Sequence, residues 1–288
     1  MKKLLVTTML SFGLSASAAA PAAKDGTLTT LKNGTLILSD RNTVAMRMAF
    51  TADSVSSVVA QVLKKDKSLN KGEPIYLVLD TPGGSVGAGL DLIEALTGLD
   101  REIRTVTTFA ASMGFITAQS LGKRYITETG VLMSHRARGG VQGQIPGELN
   151  VRAAFWTNYL KETDRRVAKR LGITADQLLV THYDEWWISG SQSIALKAAD
   201  EVIKVRCGQS LDGSYTQIVK TMFGNLKVEF SKCPLIKSPI SIRSEISAYD
   251  LTAEESRLFK RAIFTMFYDK KAFLYEYVLT NRFSGMFQ

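Results

Sequence analysis

Residues 75–85 read IYLVLDTPGGS, and this stretch decides the fold class. Its first part, Ile75 to Leu79, is a short continuous apolar run, which is typical of a strand buried on both faces. The Pro-Gly-Gly that follows predicts a tight turn, and an apolar-periodic helix is expected from about Gly89 to Leu99. A buried strand that leads through a turn into a helix indicates an α/β protein.

The same unit recurs on both sides of this stretch. Upstream, residues 53–64 carry apolar residues at helical spacing. Downstream, residues 103–109 are strand-like and residues 111–121 form a helical pattern of small and apolar residues, followed by two strand segments at 125–127 and 131–133. Alternating strands and helices favour an α/β architecture.

The second half of the chain begins with a glycine-rich segment and a long predicted helix. The further predictions are a helix at about 148–171, a helix at 174–180, a strand at 186–188 and a helix at 192–199. From Cys207 to Ser247 the alternation of strand and helix patterns stops, and we interpret this segment as irregular. A capping-box signal at 252–255 then predicts an aromatic-rich helix, so the extension is expected to be helical.

The first 20 residues have the pattern of a secretory signal. A basic start at Met1 to Lys3 precedes a short apolar run and the small residues around Ala18. We therefore expect residues 1–20 to be a signal peptide, 21–206 to be the main domain and 207–288 to be a C-terminal extension. The mature protein is expected to be periplasmic or secreted, without stable insertion in a membrane.

Charge and cysteines narrow the classes of partner. The formal net charge is +9, but the basic residues are scattered and no aromatic-basic reader motif is present, so no nucleic-acid partner is expected. Cys207 and Cys233 are the two cysteines of the chain, and in an oxidising compartment such a pair is predicted to form a disulfide. Two cysteines without a CxxC pattern or a nearby histidine cannot complete a zinc site, so no metal is expected.

Three local features could carry chemistry, and they follow one another in the chain. They are the Gly83-Gly84 turn, Ser112 at a strand-to-helix junction, and His135 at the end of a strand. A serine hydroxyl needs a base to become a good nucleophile, and histidine suits that role. Backbone N–H groups at a glycine turn or a helix start can stabilise an oxyanion. Each signal alone is weak, but their combination favours a hydrolase.

These residues resemble the Clp protease proteolytic subunit (ClpP) family, within the wider ClpP/crotonase fold. The resemblance runs from about Val44 to Val202. It rests on PIYL and PGG within 74–84, AASMG at 110–114, GKRY at 122–125, M-x-H at 133–135 and GG-x-QGQ at 139–144. It implies an α/β fold of stacked ββα units with a protruding handle helix, and a homo-oligomer that acts on peptides or unfolded proteins.

The resemblance also implies site residues. The family's nucleophile falls on Ser112, its base on His135, and its oxyanion donors on the backbone N–H groups of Gly84 and Met113. Its acid falls on Glu185 in a gapless alignment, whereas a one-residue slip selects Asp184 instead, and both stay open.

Two positions and the export signal lie outside this pattern or depart from it. His182 belongs to no matching motif and is expected to be a surface or helix-end residue. The glycine that ends the family's last helix falls on Lys197. Because an export signal would separate the protein from a cytosolic ATP-driven unfoldase, any activity is expected to be ATP-independent.

The prediction is thus an exported, ATP-independent serine endopeptidase that uses an acyl-enzyme mechanism and no cofactor. A catalytically inert ClpP-fold protein that binds peptides or acts as a scaffold is the alternative, motivated by the unsettled acid. Two relatives in the same fold superfamily fit less well. A signal-peptide peptidase with a Ser-Lys dyad would need a lysine that serves Ser112, and this sequence shows none. An acyl-CoA hydrolase would need a nucleotide pocket, and no such pattern is recognisable in this sequence.

Overall fold

The computed structural model describes residues 28–145, 147–221 and 224–244, together with residues 252 and 254. The predicted signal peptide and nearly all of the predicted C-terminal helix lie outside the described residues. The main domain contains, in chain order, β1 (Thr30–Lys32), β2 (Thr35–Leu38), β3 (Thr43–Met46), α1 (Ala52–Asp66), β4 (Ile75–Thr81), α2 (Val86–Thr97), β5 (Ile103–Ala111), α3 (Met113–Ser120), β6 (Arg124–Ser134), α4 (Glu148–Leu171), α5 (Ala175–Thr181), β7 (Trp186–Ser189), α6 (Gly190–Ser193) and β8 (Glu201–Cys207).

The main sheet is predominantly parallel, as the alternation of strands and helices predicts. Its order is β1-β2-β8-β6-β5-β4-β3, with β7 also paired to β6. The pairs from β2 to β3 along this order are parallel, whereas β1–β2 and β6–β7 are antiparallel. Parallel neighbours need crossover connections, and α1, α2 and α3 supply them between β3 and β6. The carboxyl ends of β4, β5 and β6 therefore meet at one edge of the sheet.

Strand β4, which lies between β5 and the edge strand β3, is buried on both faces, and this confirms the interpretation of its apolar run. Ile75, Leu77 and Leu79 point into a core that also holds residues of the helices. Tyr76 and Val78 point into a second core on the opposite face. Because side chains alternate along a strand, the continuous run serves two cores at once.

Two boundaries differ from the sequence prediction. Strand β5 continues to Ala111 because Ala110 and Ala111 pair with β6, so α3 begins only at Met113. The helix predicted at 192–199 is shorter, since α6 ends at Ser193 and turns follow. Lys197, where the family has glycine, adopts a φ of 53°, in the region that favours glycine.

A three-stranded antiparallel sheet follows the main domain, where an irregular segment was expected. It consists of β9 (Ser214–Thr221), β10 (Gly224–Ser231) and β11 (Ser241–Ser244), in the order β11-β10-β9. The physical reason is a period-2 pattern in β10, in which Leu226, Val228 and Phe230 are buried while Lys227 is exposed. The described part of the extension is therefore a sheet, and the expectation of an irregular segment is wrong.

The C-terminal sheet packs on the main domain. Leu211 and Leu235, on either side of β9 and β10, join the second core beneath β4. A disulfide links Cys207, at the end of β8, to Cys233, just after β10, with the Cα atoms 5.8 Å apart. This bond ties the C-terminal sheet covalently to the main sheet.

Removing this disulfide is expected to lower the free energy of unfolding by about 3 kcal/mol, because the bond limits the freedom of the unfolded chain. Denaturant unfolding of the oxidised protein and of the Cys207→Ala/Cys233→Ala variant measures this difference. The same change should follow from adding a reductant to the native protein, and the reductant should have no effect on the double variant. Equal stability of the oxidised protein and the variant would contradict the prediction.

Among the described residues, no helix is both long and apolar enough to cross a lipid bilayer. Nor does any group of three or more His, Cys, Asp or Glu side chains in the described chain have the arrangement to hold a metal ion.

Candidate active site

The three predicted features converge at the carboxyl edge of neighbouring strands. The glycine turn follows β4, Ser112 follows β5, and His135 follows β6. The register brings the strand ends level, since Thr81 pairs with Ala110 and Ala111 pairs with Met133. The parallel sheet thus places groups that are distant in sequence within contact of one another.

Ser112 occupies a sharp turn between β5 and α3. Its φ of 55° and ψ of −116° lie in a region that residues other than glycine rarely adopt. A backbone conformation of this kind costs of order 1–3 kcal/mol. The turn is held by a hydrogen bond from the Ser112 N–H to the carbonyl of Met133, at 2.8 Å. Although Ser112 stands at the N-cap of α3, its hydroxyl makes no capping bond, so it is available for another partner.

That partner is His135. The Nε2 atom of His135 lies 2.8 Å from Oγ of Ser112, which is hydrogen-bonding distance. Both residues are half-buried. If Nε2 accepts the serine proton, the ring must carry its own proton on Nδ1. The pair has the geometry of a nucleophile and its general base.

The surroundings of His135 favour the neutral ring. Burial lowers its pKa, and the positive charge of Arg138 lowers it further, whereas the charge of Glu185 and the backbone of Arg136 raise it. The net result is a pKa below the ordinary imidazole value. A histidine that is neutral near pH 7 can accept a proton there.

The two candidate acids are not equivalent. Glu185 accepts a hydrogen bond from Nε1 of Trp187 at 2.9 Å and lies 3.7 Å from the guanidinium of Arg138. Asp184 is exposed and, within the described ranges, makes no hydrogen bond or ion pair. Neither carboxylate is hydrogen-bonded to His135. The buried Nδ1 of His135 makes no hydrogen bond of good geometry among the described residues, although the backbone of Arg136 interacts with the ring.

A glycine turn beside Ser112 carries one predicted oxyanion donor. The N–H of Phe50 donates to the carbonyl of Gly83 at 2.8 Å, and the N–H of Ser85 donates to the carbonyl of Phe50 at 2.9 Å. These two hydrogen bonds hold the turn in place, and the N–H of Gly84 takes part in neither of them. At Gly83 any side chain would collide with the nucleophile, because its Cβ would lie 2.6 Å from Cβ of Ser112.

The second predicted donor is the first residue of α3. The N–H of Met113 has no acceptor within its own helix, because the first turn of a helix leaves its amides unpaired. A Cβ on Gly83 would lie only 2.9 Å from this nitrogen, so the glycine turn and the helix start are in contact. The turn that carries Gly84 and the start of α3 at Met113 therefore both lie next to Ser112.

His182 has a place that the sequence did not reveal. It ends α5, as expected, but it is only 2% exposed and is not a surface residue. Its Nδ1 lies 3.2 Å from the hydroxyl of Ser134, the neighbour of His135. Burial lowers the pKa of His182 to about 4, with smaller effects in the same direction from Arg136 and His135. His182 thus belongs to the packing behind the site.

The buried His182 predicts a pH-dependent stability. Its pKa is about 4 in the folded protein and 6.5 ordinarily, so the unfolded chain binds more protons between these values. The contribution of His182 is therefore fully present above pH 6.5 and is lost as the pH falls toward 4. Between pH 7.5 and 4.5 we expect the native protein to lose about 2 kcal/mol more than His182→Asn, which can still hydrogen-bond Ser134.

Denaturant unfolding of both proteins at several pH values measures this difference, and the other titrating groups cancel in the comparison. Parallel stability curves for the native protein and His182→Asn would contradict the prediction.

Comparison with known proteins places this geometry in a family. The family model of the Clp protease matches residues 24–206, which include Ser112 and His135 and end before the C-terminal sheet. The ATP-dependent Clp protease proteolytic subunit of Streptococcus pyogenes serotype M5 (strain Manfredo) is 32% identical over 156 residues, which cover 52% of this chain and 78% of that protein. The protein of the same name from Streptococcus equi subsp. equi (strain 4047) gives the same values. The mixed α/β fold with its mainly parallel sheet agrees with this match, and the chain belongs to the Clp protease family.

Proposed function

We propose that this protein is a serine endopeptidase that cleaves peptides or unfolded polypeptides through an acyl-enzyme. The observation that carries the proposal is the 2.8 Å contact between Oγ of Ser112 and Nε2 of His135. Membership of the Clp protease family supports a peptidase. The lowered pKa of His135 supports its role as a base at neutral pH.

The first half of the reaction forms the acyl-enzyme. Oγ of Ser112 attacks the carbonyl carbon of the scissile peptide while Nε2 of His135 takes the hydroxyl proton. The carbonyl oxygen becomes an oxyanion that accepts hydrogen bonds from the amides of Gly84 and Met113, each worth about 3 kcal/mol in such sites. The C–N bond then breaks, and His135 gives its proton to the leaving amine. The product is an ester on Ser112.

The second half repeats these steps with water. His135 takes a proton from a water molecule, the resulting hydroxyl attacks the ester carbonyl, and the same amides hold the oxyanion. When the C–O bond breaks, His135 returns its proton to Oγ of Ser112. No cofactor is needed, since the protons and electrons balance between substrate, water and these side chains.

The acid that orients His135 is proposed to be Glu185. Its charge already acts on His135, and it is more buried than Asp184. A change of the Glu185 side-chain conformation away from Arg138 and toward His135 would give Nδ1 a carboxylate acceptor.

Export and independence from ATP are further parts of the proposal. The sequence pattern of residues 1–20 supports export, and so does the disulfide between Cys207 and Cys233, because such bonds persist in oxidising compartments. Fractionation of cells that produce the chain, with N-terminal sequencing of the product, tests this part. Recovery of the intact chain from the cytoplasm would contradict it.

We also propose a homo-oligomer that assembles through α4. This helix carries an exposed aromatic cluster, in which the rings of Phe155 and Trp156 lie 5.5 Å apart and those of Phe155 and Tyr159 lie 5.6 Å apart. Contiguous exposed apolar groups are characteristic of interaction surfaces. Light scattering reads out the assembly, and a mature chain that stays monomeric at high concentration would contradict this part.

Labelling with a fluorophosphonate tests the activity directly. The purified mature protein should react at Ser112, with the adduct located by peptide mass spectrometry, and should hydrolyse fluorogenic peptides without ATP. Because the pKa of His135 is lowered, hydrolysis should persist below the ordinary imidazole pKa as the pH is reduced. Absence of both labelling and hydrolysis would favour the inert peptide-binding alternative, and hydrolysis only with ATP and a partner would overturn ATP independence.

A further inference from the structure

Three arginines lie at the exposed segment that follows His135. Arg136 and Arg138 belong to this segment, and Arg152 reaches it from α4, where its guanidinium contacts the carbonyl of Gln142. A cation beside the catalytic base can attract a negatively charged group of a substrate. The present partners of each guanidinium therefore decide which arginine is available for such a group.

Two of these arginines are already occupied. The guanidinium of Arg136 lies 4.7 Å from the ring centre of Tyr183 and donates a hydrogen bond to the carbonyl of Leu179 at 3.3 Å. Besides its contact with the segment, the guanidinium of Arg152 lies 3.1 Å from the carboxylate of Glu148. Neither arginine can take a new anionic partner without losing these contacts.

Arg138 is held much less tightly. Among the described residues, its one polar partner is the carboxylate of Glu185, whose Oε1 lies 3.7 Å from Nη2 of the arginine. This distance is longer than that of a good hydrogen bond, and 49% of the Arg138 side chain is exposed. An exposed ion pair of this kind contributes little to stability. A second carboxylate, bound in the forked geometry that suits a guanidinium, would displace Glu185.

Glu185 is the carboxylate proposed to orient His135. Its Oε2 accepts the hydrogen bond from Nε1 of Trp187 at 2.9 Å, whereas Oε1 is the oxygen nearest to Arg138. Nδ1 of His135 is buried and makes no hydrogen bond of good geometry among the described residues. Both Glu185 and Arg138 are close enough to His135 to act on its ring electrostatically. The ion pair therefore keeps the proposed acid from the base that it would orient.

Arg138 also lies within reach of a bound substrate. It follows His135 by three residues, so the Cα atoms of the two residues are at most about 11 Å apart. Substrate residues beside the scissile bond fall within the same range, because one residue of an extended chain covers about 3.3 Å. An acidic side chain within two residues of the scissile bond can thus meet the guanidinium of Arg138.

We infer that Arg138 selects substrates with an acidic side chain within two residues of the scissile bond, and that this side chain activates the site by drawing Arg138 away from Glu185. In the free protein the ion pair keeps Glu185 from His135. When a substrate carboxylate binds Arg138, Glu185 turns to Nδ1 of His135 and orients the ring as the base for Ser112. The inference rests on the proposed function and names its substrate class.

Matched fluorogenic peptides test this inference on the full mature chain at pH 8. Asp or Glu is placed at each of the two positions on either side of the cleaved bond, and Asn or Gln at the same position gives the neutral counterpart. For at least one position, the acidic peptide should be cleaved with a kcat at least fivefold higher than its counterpart. The gain should lie in kcat, because the acidic group frees Glu185 in the bound complex and does not merely add affinity.

Arg138→Gln should remove the preference, so that acidic and neutral peptides are cleaved within twofold of each other. Its kcat for the neutral peptide should be at least that of the native protein, since Glu185 is then released without a substrate carboxylate. Arg138→Lys keeps the charge but not the fork, and it should retain a smaller preference. Arg166→Gln is the matched control, because it breaks an exposed ion pair with Glu162 on α4 and should leave the preference unchanged.

Fluorophosphonate labelling of Ser112 separates failure of this inference from failure of the proposed function. If the native protein labels and cleaves but does not distinguish acidic from neutral peptides, or does so through KM alone, the inference is overturned and the proposed function stands. A preference that survives in Arg138→Gln, or a lower kcat of that variant for neutral peptides, would also overturn it. A protein that neither labels nor cleaves would overturn both.

Discussion

Replacing Ser112 with Ala is expected to lower kcat/KM for peptide hydrolysis by about 10⁴- to 10⁶-fold and to abolish fluorophosphonate labelling. The change removes the oxygen that lies 2.8 Å from Nε2 of His135 and that would form the acyl-enzyme. It leaves the turn intact, because the backbone bond from residue 112 to Met133 does not involve the hydroxyl. Steady-state hydrolysis of a fluorogenic peptide measures the loss.

His135→Ala should cost a similar factor, because an unassisted serine is a poor nucleophile. The double variant Ser112→Ala/His135→Ala should then be no worse than either single variant, since the two side chains act as a unit. Ser120→Ala is the matched control. It lies on the same helix, its hydroxyl bonds only to the carbonyl of Ile116, and it should keep full activity. Additive losses in the double variant would show that the two side chains act independently, and activity in Ser112→Ala would show that another nucleophile acts.

The convergence of Ser112 and His135 was predictable from sequence because it depends on strand ends. Each residue follows an apolar run, and parallel strands bring their carboxyl ends to one edge. The glycine turn was predictable for the same reason. Glycine is needed at this turn because a Cβ on Gly83 would lie 2.6 Å from Cβ of Ser112. These features are local in sequence and need only the sheet to bring them together.

The burial of His182 and the unpaired guanidinium of Arg47 were not predictable in this way. Both depend on which distant residues pack against them, namely Ser134 for His182 and Tyr215 with Phe230 for Arg47. The local periodicity of apolar residues in the sequence does not indicate such long-range contacts. The C-terminal sheet is different, because the alternation around Val228 is visible in the sequence and indicates a strand.

The acid could not be chosen from sequence because two carboxylates are adjacent and a one-residue shift in alignment exchanges them. The structure distinguishes their surroundings. Glu185 is half-buried, contacts Trp187 and Arg138, and acts electrostatically on His135, whereas Asp184 is exposed. A carboxylate can stabilise an imidazolium only where water does not screen it, which favours Glu185.

Glu185→Gln is accordingly expected to lower kcat/KM by about 10³- to 10⁴-fold, while Asp184→Asn should stay within about threefold of the native protein. Both changes keep the size of the side chain and remove its charge, so they are matched. If Glu185 had only a structural role, its replacement would change the stability of the protein but not the pKa of His135. The pH profile of kcat/KM is therefore the deciding readout. Glu185 raises the pKa of His135, so its loss should move the acidic limb of kcat/KM to lower pH.

Arg138 supplies the opposite test of the same argument. Its charge lowers the pKa of His135, and it holds Glu185 at 3.7 Å. Arg138→Gln should therefore shift the acidic limb to higher pH, and it should release Glu185 toward Nδ1 of His135. Opposite shifts in the Glu185 and Arg138 variants, with no shift in Asp184→Asn, would identify the carboxylate that orients the base. A large loss in Asp184→Asn with full activity in Glu185→Gln would instead select the shifted alignment, and the partner of His135 would then have to come from a rearranged loop between α5 and β7.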